Sequence, residues 1–288
     1  MATYGLHAVN LGTFNLGETD KIVTMFSAER GIVRAVAKGA RKPGAKIAGR
    51  SEPLYVNKLL LAKGRNLDII TQVEGIASFS SLRNELEKLS YGLYYAELTL
   101  HFGQDLSEAS ADYFDHLCRS LSLLAESGDD PLLLTLRFEM QLLERLGIKP
   151  ELDVCVGCRD PLTEYRLSFF HHDSGGIICD RCFSGRDRVT VQEKLIFDYG
   201  EDAPQNPALR DRARSPYAGA AGTHVTPMVW KRLVLSSKVD SEAGGSFGQA
   251  STTPSVVAAN AAARRLVQGY LEYKAGRRMR ALDLLGDG

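Results

Sequence analysis

At 288 residues the chain has room for two or three domains, and its 44% hydrophobic content is ample for their cores. No apolar run approaches the roughly 18 residues of a membrane span, so none is expected. Lys plus Arg total 35 and Asp plus Glu total 35, a balance that by itself argues against a nucleic-acid binder; the charge is unevenly placed, however, and its distribution is informative.

Met1 to Asn10 has no basic start followed by an apolar stretch, so no secretory signal is expected. Short strand-like segments follow, separated by turn residues: Tyr4 to Leu11, Lys21 to Phe26, Gly31 to Lys38, Leu54 to Lys63 and Leu67 to Ile76. Five strands with no long helix among them suit a small closed barrel such as the OB-fold. Up to position 80 there are eleven basic and six acidic residues. Five of the basic ones, Lys38, Arg41, Lys42, Lys46 and Arg50, fall in a stretch without an acid, where Gly39, Pro43, Gly44 and Gly49 keep the backbone open. A flexible cationic loop beside a barrel can follow a phosphate backbone and release counterions. A solvated loop explains the same charge run. Phe14, Tyr55 and Phe79 are the aromatic side chains available for base stacking, and each also fits a core position.

From Ser81 the period becomes helical. Leu82, Leu86, Leu89, Leu93, Ala96 and Leu100 predict one helix, on which Tyr91, Tyr94 and Tyr95 read as core and Glu97 as a hydrogen-bonded structural carboxylate. A second helix is predicted from Ala109 to Ala125 through Tyr113, Phe114, Leu117, Leu121 and Leu124, with Cys118 as a small core residue. A third carries its own punctuation: Asp130 suits the N-cap, Pro131 the first helical position and Gly147 the residue just past the end. Three helices that need mutual burial make a bundle.

Cys155-Val156-Gly157-Cys158 and Cys179-Asp180-Arg181-Cys182 are two Cys-x2-Cys knuckles separated by 20 residues. At this spacing four thiolates can close a tetrahedron around Zn²⁺, and with no open position the site is structural. Gly157 relieves crowding in the first turn. Two disulfides would need an oxidising compartment, and a thioredoxin-like pair would need one knuckle beside a βαβ pattern. His171 and His172 lie between the knuckles and read as surface residues, since four sulfurs are already available. Tyr165 to Phe170 and Gly176 to Ile178 predict a hairpin there.

Beyond the knuckles, Val189 to Tyr199 predicts a short helix or strand, and Gly200 to Gly222 a loop. Thr226-Pro227 opens a helix through Trp230, Leu233 and Val234, and the polar Ser236 to Thr253 stretch reads as mobile. Ala258 to Leu285 predicts a closing helix with Leu266, Tyr270, Tyr273, Leu282 and Leu285 on its apolar side. Arg264, Arg265, Lys274, Arg277, Arg278 and Arg280 form a second basic face, which a solvated surface also explains. The expected architecture is therefore α+β and multidomain: an OB-fold β-barrel over 1–80, a helical bundle over 81–150, a four-cysteine zinc finger over 151–186, and C-terminal helices with flexible loops over 187–288 that pack on the bundle.

In this order the residues resemble the RecO family of recombination mediators. Gly17-Glu18-Thr19-Asp20-Lys21-Ile22-Val23 is similar to the family's entry to its second strand, and Gly31-Ile32-Val33-Arg34-Ala35-Val36-Ala37-Lys38-Gly39-Ala40-Arg41 to its Gly-to-Ala-Lys-Gly-Ala-Arg signature. The likeness continues through Tyr91 to Leu98, the paired knuckles and the closing helix, and fades between Gly200 and Asn260. It implies binding of single- and double-stranded DNA and annealing of complementary strands. It also implies help in loading RecA recombinase onto strands coated by single-strand-binding protein (SSB), with RecR and the C-terminal tail of SSB as partners. A cytoplasmic, nucleoid-associated bacterial protein is then expected. By position, Arg34, Lys38 and Arg41 are the DNA-contact candidates; Lys42, Lys46 and Arg50 join them on charge. Pro43-Gly44-Ala45-Lys46 replaces the family's basic residue and serine, and Ser236 to Thr253 looks like an insertion. No catalysis is expected. The chain has no Gly-Lys dipeptide for a P-loop, no His-Glu-x-x-His and no His-x-Glu. The competing reading is a zinc-ribbon adaptor that binds only protein.

Overall fold

The computed structural model describes residues 2–167, 169–186, 223–238 and 253–285. The chain forms two compact units, Met1–Leu134 with Met279–Gly288, and Thr135–Arg278.

The first unit opens with five strands: β1 (Thr3–Leu16), β2 (Asp20–Ser27), β3 (Gly31–Ala37), β4 (Val56–Ala62) and β5 (Asp68–Ala77). They close in the order β1-β2-β3-β5-β4, with β3 and β5 parallel and the other pairs antiparallel, which is an OB-fold-like barrel. Alternation along the strands sends Leu6, Ala8, Val23, Met25, Ala35, Leu59, Leu61 and Ile70 into one core. Each of the larger of these side chains contributes about 1.5–3 kcal/mol by leaving water. The first strand runs well beyond its predicted end at Leu11, because a bulge between Asn10 and Gly12 shifts its register without ending the ladder.

The predicted open loop is only partly a loop. Lys46–Arg50 winds into a short helix, α1, whose end is closed by the Ser51 N–H on the Ile47 carbonyl at 3.0 Å. The side-chain amide of Asn10 donates to the carbonyls of Arg50 at 2.7 Å and Glu52 at 3.0 Å, and that of Asn57 donates to Arg50 at 3.0 Å. These bonds fix the exit of α1 against the barrel.

Helices α2 (Leu86–Phe102) and α3 (Ser110–Glu126) complete the unit. The leucine stripe predicted for α2 is only partly its buried face: Leu82, just before the helix, and Ala96 are buried, but Leu86 is 63% exposed and Leu100 is also exposed. The core side consists of Tyr91, Tyr94, Tyr95, Leu98 and Phe102 with Ser90 and Thr99, and the Thr99 hydroxyl meets that of Tyr113 at 2.9 Å. Polar groups that find partners at once can occupy a core, and counting leucines does not reveal this. Cys118 is half-buried rather than fully in the core, and burial, with Asp115 nearby, pushes its thiol up to about 12.

Helix α4 (Pro131–Arg145) starts in the first unit, continues into the second and has the predicted caps. Asp130 accepts from the Leu132 N–H at 2.9 Å, and Gly147, at φ 68°, lets the Ile148 N–H reach back to Leu143 at 2.9 Å. The hairpin is β6 (Phe169–His171) with β7 (Gly176–Ile178), flanked by α5 (Asp180–Arg186) and by β8 (Thr223–His224), which adds to β6. Helices α6 (Pro227–Lys238) and α7 (Pro254–Ala275) pack on each other. The predicted closing helix is shorter than expected. Gly276, at φ 65°, ends α7, and Ala281–Leu285 is a separate 3₁₀ turn packed on α2 within the first unit. The readings for Val189 to Tyr199 and Gly200 to Gly222 lie outside the described residues, as does most of Ser236 to Thr253. The barrel, the helices and the four-cysteine insert expected from the sequence are all present.

Candidate nucleic-acid interface and metal centre

The outer face of β1-β2-β3 is defined by register. Gly12, Thr24 and Arg34 form one cross-strand row, and Phe14, Ile22 and Val36 the next. Their neighbours Val23, Met25, Ala35 and Ala37 point into the barrel, so these rows face outward. One end of this face is covered within the unit. Phe26 meets Tyr113 edge-on at 5.1 Å, the Ser110 hydroxyl donates to the Ala28 carbonyl at 2.8 Å, and Ile32 packs against Gly103. The other end is open and carries the exposed cations Arg34 and Lys38.

Beyond β3 the chain folds back onto the β1–β2 turn. The Arg41 guanidinium donates to the Gly17 carbonyl at 2.6 Å, the Arg41 N–H to Thr19 at 2.9 Å, and the Gly39 N–H to the Asp20 carboxylate at 2.9 Å. Gly39 first, then the Thr19 hydroxyl and the charges of Lys38 and Lys42, hold the Asp20 carboxyl below the usual carboxylate range. The expected flexible segment is thus anchored at Gly39 to Arg41, while the side chains of Lys38, Lys42 and Lys46 stay exposed. Lys46 and Arg50 line a cleft of about 370 Å³ with Tyr55, Gly75 and Ile76. Arg50 is half-buried, its guanidinium lying where a side chain at Gly75 would stand.

The three aromatic candidates are not equivalent. Phe14 is 65% exposed; Tyr55 lies under the Arg83 guanidinium at 4.9 Å; Phe79 is half-buried in a left-handed conformation at φ 42°. Arg83 and Ile76 escaped sequence reading, since neither belongs to a charge run or a helical stripe.

The second unit brings together Cys155, Cys158, Cys179 and Cys182, whose sulfurs all lie within 4.8 Å of one another. None of the four is in a disulfide. Cys155 and Cys158 bracket a turn closed by the Arg159 N–H on the Cys155 carbonyl at 2.9 Å; Cys179 directly follows β7 and Cys182 sits in α5. The Cys158 and Cys179 sulfurs are 3.8 Å apart. A zinc tetrahedron with ~2.3 Å bonds has sulfur–sulfur edges of about 3.8 Å, so the donor set fits that ion. Gly157 sits in a tight place: a Cβ there would stand 3.1 Å from the Cys182 sulfur.

Burial opposes the Cys155 thiolate, but the backbone N–H groups of Cys179, Cys158 and Gly157 outweigh it and bring the thiol down to about 6. Burial, and hydrogen bonding within the cluster, push the Cys182 thiol up to about 12. Four thiolates at this separation repel, and a divalent ion relieves the conflict. Arg181, inside the second knuckle, hydrogen-bonds Cys158 and pairs with Asp160, a contact that its place between two ligand cysteines foreshadows.

His171 and His172 lie outside the cysteine cluster. His171 bonds the Ser174 hydroxyl at 2.9 Å. His172 is a packing residue rather than a surface one, stacked on Tyr270 at 6.2 Å and Tyr273 at 5.8 Å, and burial, with His171 and Lys274 nearby, lowers its pKa. The Tyr270 hydroxyl donates to the Ile148 carbonyl at 3.1 Å and that of Tyr273 to Asp173 at 2.8 Å, so α7 supports the insert. Among the described residues no helix is long and apolar enough to cross a membrane.

Residues 1–79 match the family described as Recombination protein O N terminal, and residues 83–191 match Recombination protein O C terminal. The chain is 40% identical over 176 residues to the DNA repair protein RecO of Cyanothece sp., a match covering 58% of this chain and 59% of that protein. It is 33% identical over 213 residues to that of Gloeobacter violaceus, covering 73% and 81% respectively. It is 34% identical over 183 residues to that of Symbiobacterium thermophilum, covering 63% and 72%. With both halves of the family matched in order along one chain, and the barrel, the helices and the cysteine cluster in place, the chain belongs to the RecO family.

Proposed function

We propose that the chain is a non-catalytic DNA-binding recombination mediator acting in DNA repair. The observation that carries this reading is the open end of the outward barrel face, where Arg34 and Lys38 stand exposed beside the anchored Gly39 to Arg41 turn. Arg34, Lys38, Arg41, Lys42, Lys46 and Arg50 hold phosphates of single- and double-stranded DNA. Neutralising two strands at once lets complementary bases meet, which is annealing without chemistry. Family membership supports the finer steps: with RecR, and through the C-terminal tail of SSB, the protein helps load RecA onto SSB-coated strands in the bacterial cytoplasm. Cys155, Cys158, Cys179 and Cys182 hold a structural Zn²⁺, whose binding is coupled to folding of the insert.

The competing adaptor reading has one observation in its favour, the 93% exposure of Tyr165 on the insert. A gel-shift titration with single-stranded oligonucleotides in dilute buffer, on a preparation assayed for zinc, separates the two. The mediator reading expects one zinc per chain and a shifted band. Zinc without any shift supports the adaptor.

A further inference from the structure

We propose that Phe14 stacks on an unpaired DNA base and so adds a contact that the barrel makes with single strands and not with duplex. This rests on the reading of the barrel as a DNA-binding element and names the residue by which it senses strandedness.

The bulge in β1 sets the direction in which Phe14 points. Up to Asn10, which pairs with Met25, the even-numbered residues of β1 belong to the barrel side. After the bulge Gly12 pairs with Thr24 and Phe14 with Ile22, so the even-numbered residues now face outward. Without that one-residue shift Phe14 would share the core face. The shift instead places a large aromatic ring, 65% exposed, on the surface.

Its surroundings point to the occupant. Phe14 shares a row with Ile22 and Val36, giving the ring an apolar bed, and Arg34 sits two strands away in the next row, roughly 12 Å off at the usual strand spacing and rise. Lys38, Arg41 and Lys42 follow at the end of β3, beside the turn that closes the Phe14 ribbon. The acids here are Glu18, which is exposed, and Asp20, whose carboxylate is occupied by Gly39 and Thr19. An exposed ring flanked on one side by cations suits an alternating anion and π-face, which is the pattern of a single strand. A duplex presents the phosphates but keeps its bases stacked inside, so it meets the cations and not the ring.

The test compares Phe14→Ala, Phe14→Leu and Phe14→Tyr with the wild type. Each is titrated against an oligothymidine and a duplex of equal length over a salt series, with thermal melting as the folding control. Ala and Leu are expected to lose about tenfold or more in single-strand affinity. Tyr is expected to keep wild-type affinity, duplex binding to stay unchanged in all three, and the salt slopes to remain parallel. Unchanged single-strand affinity in the Ala variant, full affinity in the Leu variant, or equal losses on both substrates overturns the stacking role. If the wild type binds neither substrate, the DNA-binding reading itself fails, a result distinct from any of these.

Discussion

The Asp20 carboxylate accepts the Gly39 N–H at 2.9 Å, joining the start of β2 to the residue after Lys38. A negative charge at the centre of a cationic surface looks counterproductive until its role is seen: it holds the turn from which the cations project. The folded pKa of Asp20 is depressed, first by the Gly39 N–H and then by the Thr19 hydroxyl. The sign follows from that depression: the contribution is present above the unfolded carboxyl value and is lost as pH falls through the folded one. Amide exchange at Gly39, measured by NMR, is therefore expected to lose protection on acidification below the ordinary carboxylate range, and in Asp20→Ala at neutral pH.

Glu97 clamps the last described segment. Its carboxylate accepts the Arg280 N–H at 3.0 and 2.9 Å and the Ala281 N–H at 2.8 Å, holding the 3₁₀ turn against α2 while Met279 and Leu282 are buried. Glu97→Ala leaves these donors to water and is expected to destabilise the first unit by roughly 1–3 kcal/mol, read by chemical denaturation. Oligonucleotide affinity is expected to be unchanged.

Metal removal reports on the second unit. Chelation is expected to unfold the Cys155 to Cys182 insert, because apparent structural zinc binding is on the order of 10–16 kcal/mol. Cys158→Ser is expected to lose the metal, measured by atomic absorption. Gly157→Ala, which would place a Cβ 3.1 Å from the Cys182 sulfur, is expected to weaken zinc retention against a competing chelator while leaving the four ligands in place.

Much of this was legible in the residues because the relevant signals are local. Asp130, Pro131 and Gly147 mark the ends of α4 through bonds made within one helical turn, and two Cys-x2-Cys knuckles imply their own convergence. The five strands were readable as short segments set off by turn residues. What escaped depends on tertiary partners. Tyr94 and Tyr95 were expected in the core of α2, but Ser90 and Thr99 beside them were not, and Thr99 is accommodated there because its hydroxyl meets that of Tyr113. The outward turn of Phe14 depends on a bulge that no residue type announces. His172 looked like a surface residue because its stacking partners, Tyr270 and Tyr273, lie far along the chain. Gly276 carried a local stop signal, but the apolar spacing continuing to Leu282 masked it.

The central claim is that the cations at the open end of the barrel grip phosphates. Its most direct measurement is the salt dependence of single-strand binding by the wild type and by a variant with Arg34, Lys38 and Arg41 all changed to Glu. The wild type is expected to bind in dilute buffer with log affinity falling steeply against log salt. The variant should bind more weakly, with a slope shallower by about 2, since each lost phosphate contact removes roughly 0.7 on a single strand. Equal slopes for the two proteins, or no binding by the wild type at low salt, would contradict the account.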